Sequence, residues 1–300
     1  MASPPRLGRR LRWTLQRLLH AAVLRMPPLL VVAPGAITAF RRVHGRLPDL
    51  QAPRTFSEKI LHRKLFDRRP FLTLFADKLA IRDHVADRIG DEFLPGLLHV
   101  ADSAQGLPWT ELPDRFVIKP THGSGWVHIV TDRKRIDPAG IEDLCAYWLR
   151  QNYYVAGGEW AYRDIPPRLL IEEFLDDGSG QSPRDYKFFV FGGRVEYVQV
   201  DLNRFAEHRR VMFDRNGQRL DFRLLHRTYP GDVELPFGFG RMVELAEKLA
   251  VDVDFVRVDL YDCAGRIVFG EMTGTPENGL APFDPPAWDL AFGQLWRMAR

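Results

Sequence analysis

The sequence predicts an α+β fold, with helices concentrated in the first third and β-hairpins in the last. Two alternating stretches and one helix cap predict it. Phe255–Thr273 alternates apolar and polar residues on both sides of Asp262-Cys263-Ala264-Gly265, and Arg184–Arg204 does so around Gly192-Gly193. From Thr55 the period is helical instead, and Thr55-Phe56-Ser57-Glu58 has the spacing of a capping box.

Composition narrows the function classes. The chain has 300 residues, 45% hydrophobic and 27% charged, which suits a globular protein of one large domain or two to three subdomains. Its two cysteines, Cys145 and Cys263, lie far apart in no metal-ligand spacing, which fits a reducing compartment such as the cytoplasm, or no use for thiols at all. No acid precedes Asp49, while nine arginines do, so the rest of the chain holds 33 basic against 39 acidic residues, a net −6. An acidic body argues against nucleic acid as a partner. In the leader, Leu11, Leu15, Leu18, Leu19 and Ala22 recur at helical spacing among Arg10, Arg12 and Arg17. A basic amphipathic helix of this kind can lie on an anionic membrane, here through residues 6–25. The same run fits a helix that docks its leucines on the body, and an Arg-rich, acid-poor transit peptide. It cannot span a bilayer, because Arg17, His20, Arg25 and Pro27-Pro28 interrupt it.

The body follows in order. Ile60, Leu61 and Leu65 continue the first capped helix, and Pro70 restarts a helical pattern through Phe71, Leu74, Phe75, Leu79, Ile81 and Val85. Lys78 falls in that pattern, where an isolated lysine reads as solvated. Phe116–Lys119 and Trp126–Val130 are strand-like and flank Thr121-His122-Gly123-Ser124-Gly125. Glycines there allow backbone N–H groups to form a phosphate nest beside Lys119, although a Gly-Ser-Gly turn also serves any hairpin. It is not a Walker loop, since a strand follows. Gly140–Asn152 reads as a helix with Ile141, Leu144, Cys145, Trp148 and Leu149 on one face. Arg168–Asp176 is a buried strand in which Glu172 and Glu173 point to opposite faces. In the next hairpin Asp185, Lys187 and Phe189 share a face, and Lys187 is either a snorkelling edge lysine or a paired one. A helix over Met242–Ala250 leads to the last hairpin.

There, strand alternation puts Arg257 with Asp259 and Glu271 with Thr273. A three-residue loop, Cys263-Ala264-Gly265, pairs Asp262 with Arg266 and sets Glu271 opposite Arg257, so that all four share one face. Two readings fit: a solvated cross-strand ion pair, or an oxygen-ligand site for Mg²⁺, which takes one or two carboxylates plus phosphates.

Together these motifs resemble the ATP-grasp superfamily and, more narrowly, the TupA-like ATP-grasp family of teichuronopeptide and surface-polysaccharide clusters. The resemblance rests on Phe56-Ser57-Glu58-Lys59, Asp77-Lys78 with Arg82, Ile118–Pro120 with His122–Gly125, Glu172-Glu173, Asp185–Phe188, Arg257-x-Asp259-x-Tyr261, and Phe269-Gly270-Glu271-x-Thr273. It implies two α+β subdomains clamping ATP, a smaller one at 116–175 with the glycine loop and a C-terminal one at 176–300 with the metal site. A helical region at 53–115 and the leader at 1–52 precede them. By the same resemblance Lys78 and Lys119 contact phosphates or adenine, and His122, Gly123, Ser124 and Gly125 close over the β- and γ-phosphates. Glu172 and Glu173 begin the adenine hinge, Lys187 neutralises the phosphate tail, and Arg257 faces an acyl phosphate. Asp259, Glu271 and Thr273 hold Mg²⁺, two ions being expected.

The implied activity is that of an ATP-dependent carboxylate–amine ligase acting through an acyl phosphate on a small-molecule or glycan-linked acid. A kinase acting on a sugar hydroxyl and a non-catalytic nucleotide-binding subunit of a glycan-assembly complex are the alternatives. Thr273 stands where many ATP-grasp enzymes have asparagine, which leaves the second ion to a hydroxyl or to Asn278. With only 77 residues before Lys78, the superfamily's N-terminal substrate domain is expected to be missing or reduced.

Overall fold

The computed structural model describes residues 24, 26–178, 183–202 and 207–298. The leader helix expected over Leu11–Ala22, and all but Leu24 of the expected membrane contact at 6–25, lie outside these residues. Among the described residues no helix is long and apolar enough to cross a membrane. The later part of the leader forms helix α1 (Pro28–His44), which starts on a proline and packs Phe40 against Leu61 and Leu65 of the body.

The α+β expectation holds, as two antiparallel sheets with helices against them. Helix α2 (Phe56–Phe66) opens with the expected capping box, Thr55 accepting from the Glu58 amide and Glu58 from the Thr55 amide. Helices α3 (Pro70–Ala76) and α4 (Ile81–Ile89) are separate, and the break between them corrects the continuous helix expected through Lys78. Asp77 causes it: its Oδ1 accepts from the amides of Leu79 and Ala80 at 2.9 and 3.2 Å, starting a new helix as an Asx side chain does.

The smaller sheet consists of β1 (Leu97–Ala101), β2 (Phe116–Pro120), β3 (His128–Val130) and β4 (Leu169–Glu173), in spatial order β1-β4-β2-β3. β1 lies within the stretch expected to be helical. One face of this sheet is covered by α5 (Pro138–Leu149), which buries Ile141, Cys145 and Trp148 on Phe116, Ile118, Leu169 and Ile171. Val117, Lys119 and Glu172 point the other way.

The larger sheet is built from β5 (Asp185–Phe191), β6 (Arg194–Leu202), β7 (Arg209–Asp214), β8 (Arg219–Leu220), β10 (Phe255–Cys263) and β11 (Arg266–Thr273), in the order β11-β10-β5-β6-β7-β8; a short strand β9 (Arg223–Leu224) pairs elsewhere. Its even face, with Phe188, Val190, Val256, Val258 and Leu260, packs on α4 and on α7 (Phe239–Leu249). Its odd face is divided along its length. Phe189, Phe191 and Phe255 are covered by Phe56 of α2 and Phe292 of α8 (Ala287–Leu295). A few residues along the same strands, that face carries Asp185, Lys187, Arg257 and Asp259.

Candidate functional site

The register of the β10–β11 hairpin decides which side chains meet. Its turn is the two-residue Ala264-Gly265, both at positive φ, so Cys263 pairs with Arg266 and the three-residue loop expected from sequence is corrected. Continued without interruption, that register would put Glu271 on the opposite face from Asp259. A bulge at Gly270 adds one residue, after which Asp259 pairs with Glu271 and Arg257 with Thr273. Glu271 therefore stands opposite Asp259, not Arg257, and the four side chains still share a face. A Cβ at position 270 would lie 2.9 Å from the Tyr261 ring and 3.0 Å from the Asp259 carbonyl oxygen. Glycine makes the bulge possible.

Arg257 is the hub of this cluster. Its Nε and Nη2 donate to the two oxygens of Asp259 at 2.7 Å each, and Nη2 also reaches Glu271 Oε1 at 2.8 Å and Thr273 Oγ1 at 3.3 Å. Thr273 Oγ1 donates to the same Glu271 oxygen at 3.1 Å. Lys187 is not a snorkelling edge lysine. It sits in a central strand, 5% exposed, and donates to Asp185 and, at 2.5 Å, to Asp259. Three carboxylates against two cations leave the group one negative charge over. Burial, with Asp185 and Glu271 adding to it, pushes the Asp259 carboxyl above the usual range against the pull of Arg257 and Lys187. For Glu271 burial works upward too, but Arg257, Lys187 and Lys78 prevail and hold it at about 2. The polar layer continues across β6 and β7, where Gln199 and Arg210 both donate to the buried Asp201.

The smaller sheet faces this cluster with Lys78, Lys119 and Glu172. Lys78, in the turn after α3, donates from its backbone to Thr121 at 3.4 Å and from Nζ to the Gly123 carbonyl. Burial, reinforced by repulsion from Lys119, pushes it down to about 8, with Glu271 and Glu172 pulling the other way. Lys119 donates to Glu172 Oε2 at 2.7 Å, and Arg82 holds the other oxygen at 3.0 Å. Glu173 points away, as expected, and accepts from the Gly96 amide and from Arg266 at the tip of the β10–β11 hairpin.

Within the glycine loop the residues divide. His122 is buried and its Nε2 meets the Trp148 carbonyl at 3.0 Å, so it anchors the root of the loop and does not present its ring as expected. Gly123 lies under the Trp126 ring, where a Cβ would come within 2.2 Å. Ser124 bonds Tyr153 and Tyr162, and Gly125 adopts φ +71 in open space. Asn278, the expected alternative to Thr273, accepts from Lys64 at 2.8 Å and bonds Glu159.

A divalent cation fits this donor set on charge and hardness. Glu271 has a half-exposed side chain, and Asp259 adds excess negative charge behind it. Among the described residues no three His, Cys, Asp or Glu side chains gather to cage an ion. Sequence reasoning missed Glu159, Tyr153 and Tyr162, which sit in or beside short helical turns that carry no motif, and the Gln199–Asp201–Arg210 layer. The period-2 polar positions Gln199 and Asp201 within an apolar strand were the available signal for that layer.

A family model described as TupA-like ATPgrasp matches residues 58–297. No curated protein matches the chain. Similar solved structures include the ATP-grasp ligase PsnB complexed with a phosphomimetic variant of its minimal precursor, Mg and ADP, at 13% identity and TM-score 0.43, covering 76% of this chain and 61% of that one. D-alanine–D-alanine ligase from Bacillus anthracis matches at 18% identity and TM-score 0.43 over 75% of this chain and 65% of that one. The same ligase from Helicobacter pylori matches at 16% and 0.43, over 75% and 62%. In each case the match spans less than two thirds of the neighbour's length.

Proposed function

The chain belongs to the TupA-like ATP-grasp family, and from that premise we propose that it is an ATP-dependent ligase. It activates a carboxylate as an acyl phosphate and passes it to an amine, in the assembly of cell-surface polysaccharide or peptide-bearing glycan. The observation that carries the reading is the convergence of Lys187 and Arg257 from the larger sheet with Lys78, from the turn after α3, on Glu271, with Lys119 of the smaller sheet beside Lys78. Phosphoryl transfer asks for positioning and charge neutralisation more than for covalent chemistry, and this arrangement supplies both.

In this reading Lys78 and Lys119 hold phosphate or adenine, and the Gly123–Gly125 backbone closes over the terminal phosphates from its His122 anchor. The Glu172–Leu175 segment offers backbone groups to the adenine edge. Lys187 neutralises the phosphate tail, and Arg257 both fixes Asp259 and Glu271 and faces the acyl phosphate. Glu271, and Asp259 where Arg257 or Lys187 yields one of its oxygens, would hold Mg²⁺, with Thr273 orienting Glu271; the ion would neutralise phosphate charge.

Trapping tests the proposal. The chain is incubated with ATP, Mg²⁺, hydroxylamine and a panel of uronic and amino acids. ATP-dependent release of phosphate with formation of an acyl hydroxamate is the expected result. A phosphorylated hydroxyl product without hydroxamate would assign a kinase instead, and Glu271→Gln with unchanged ATP turnover would remove the metal assignment.

A further inference from the structure

Next to the Glu271 hairpin lies a second polar cluster that phosphate chemistry does not use. Glu159 enters it from the loop after a short helix, α6 (Tyr153–Gly157). Its Oε2 accepts from Thr275 Oγ1 at 2.7 Å, and its carboxyl also bonds the Asn278 side chain. Lys64 stands alongside, donating to Asn278 Oδ1 at 2.8 Å and to the Gly157 carbonyl at 2.9 Å. The rings of Tyr153 and Tyr162 meet edge to face at 4.7 Å, and both are bonded to Ser124 of the glycine loop. Glu159, Tyr162, Thr273 and Thr275 line one cleft, whose other side combines the apolar Leu72, Phe75 and Met272 with Lys64 and the paired Arg63 and Asp67.

We propose that this cleft receives the amine acceptor, and that Glu159 binds its ammonium group and takes its proton. The inference rests on the ligase reading above and names where its second substrate lies. Charge bears on the substrate: of the cations lining the cleft, Arg63 is paired with Asp67 and Asp254 and Lys64 donates to Asn278 and Gly157, so an ammonium would meet Glu159, with Glu271 behind it, as its counter-charge. Position selects the role, because the cleft shares Thr273 with the hairpin that carries Glu271. The basicity is suitable as well. Burial, with Glu271 adding to it, holds the Glu159 carboxyl above the usual range, against Thr275, Lys64 and Asn278. A stronger base takes a proton from an ammonium more readily. The titratable and charged groups around Glu159 are Lys64, Tyr153, Tyr162 and Glu271, with Arg63 and Asp67 across the cleft. Ser124 ties the tyrosines to the loop assigned to the nucleotide, so closure of that loop is mechanically linked to the amine side.

The step balances. One proton of the ammonium passes to the Glu159 carboxylate, the freed nitrogen lone pair attacks the acyl carbon, the C–N bond forms, and the C–O bond to phosphate breaks. A second proton leaves with the phosphate, and one stays on the amide nitrogen. Glu159 then returns its proton to water.

The test compares two nucleophiles in one preparation. Hydroxylamine is largely uncharged at neutral pH and needs no proton acceptor; ethanolamine, an amino sugar and amino-acid amides arrive as ammonium ions. With the acid that yields hydroxamate, Glu159→Gln is expected to lower the ratio of amide to hydroxamate on the order of 100-fold at pH 7. The deficit should shrink as pH rises and free amine becomes available, and Glu159→Asp should recover part of it. Because the readout is a ratio, loss of folded protein cancels. An unchanged ratio overturns the proposal, as does a native chain that forms hydroxamate but no amide with any of these amines. If no acid yields hydroxamate in the native chain, the ligase reading itself fails and the acceptor assignment falls with it.

Discussion

On the larger sheet Lys187 is buried in mid-strand between Asp185 and Asp259, while on the smaller sheet Lys119 keeps about a third of its side chain exposed beside Glu172. Both are strand lysines paired with acids, yet their physical regimes differ. The first belongs to a buried lattice in which every oxygen of Asp259 is bonded and Arg257 spans two strands. The second rests against Glu172, whose other oxygen is already held by Arg82. One half of the ATP-grasp site is therefore a fixed platform, set before any ligand arrives. On the other half Lys119 stands near solvent beside the glycine loop, able to adjust to what it holds.

Breaking the platform should be the costliest change. Lys187→Met leaves Asp185 and Asp259 facing each other in a buried strand pair, and removing one partner of such a group costs about 3–5 kcal/mol. Chemical denaturation should show a loss of that size along with loss of ATP turnover; a loss under 1 kcal/mol would mean the lattice is not rigid. Gly270→Ala attacks the same platform through its register. It should cost about 1–3 kcal/mol by overpacking against Tyr261 and the Asp259 carbonyl, and should weaken Mg²⁺-dependent turnover more than nucleotide binding.

The other half should respond in the opposite way. Lys119→Met should change stability by less than about 1 kcal/mol, because Arg82 still pairs Glu172 and a partly exposed ion pair contributes little. Its effect should appear in ATP affinity, as a loss of roughly tenfold to 100-fold measured by calorimetry, the value of one charged hydrogen bond. A stability loss equal to that of Lys187→Met would erase the distinction. The smallest effect is on pH. Lys78 loses its charge as pH rises through about 8, so ATP affinity of the free protein should decline above that value. Lys78→Arg should flatten the decline, while Lys187, held above its ordinary value by Asp259 and Asp185 against its burial, contributes none of it.

The two halves were also unequally legible in the sequence. The platform's strands announce themselves through period-2 alternation, and Arg257, Asp259, Lys187 and Glu271 are named by that pattern. Their register was not, because a turn one residue shorter and a bulge at Gly270 cancel each other's effect on which face Glu271 occupies. A glycine inside an apolar strand is the sign of such a bulge. Lys78 was placed on a helix because its apolar neighbours keep helical spacing, and the Asx turn at Asp77 that interrupts it is a single side-chain choice. β1 was hidden because Leu97–Ala101 is short, half exposed and follows helices. Glu159 could not be found at all: its partners Thr275, Asn278 and Lys64 are brought together only by tertiary packing.

Behind the platform Arg63 joins the two ends of its hairpin. From within α2 its Nη1 donates to the Phe255 carbonyl at 2.7 Å, where β10 begins, and to the Gly274 carbonyl at 3.1 Å, just past the end of β11. A hairpin is ordinarily open at the end opposite its turn and frays from there. With a guanidinium bridging that end, β10 and β11 form a closed ring, covalent at Ala264-Gly265 and hydrogen-bonded at Arg63. Such a ring can flex as a whole but cannot unzip, so Asp259 and Glu271 keep their spacing even while the loops on either side rearrange.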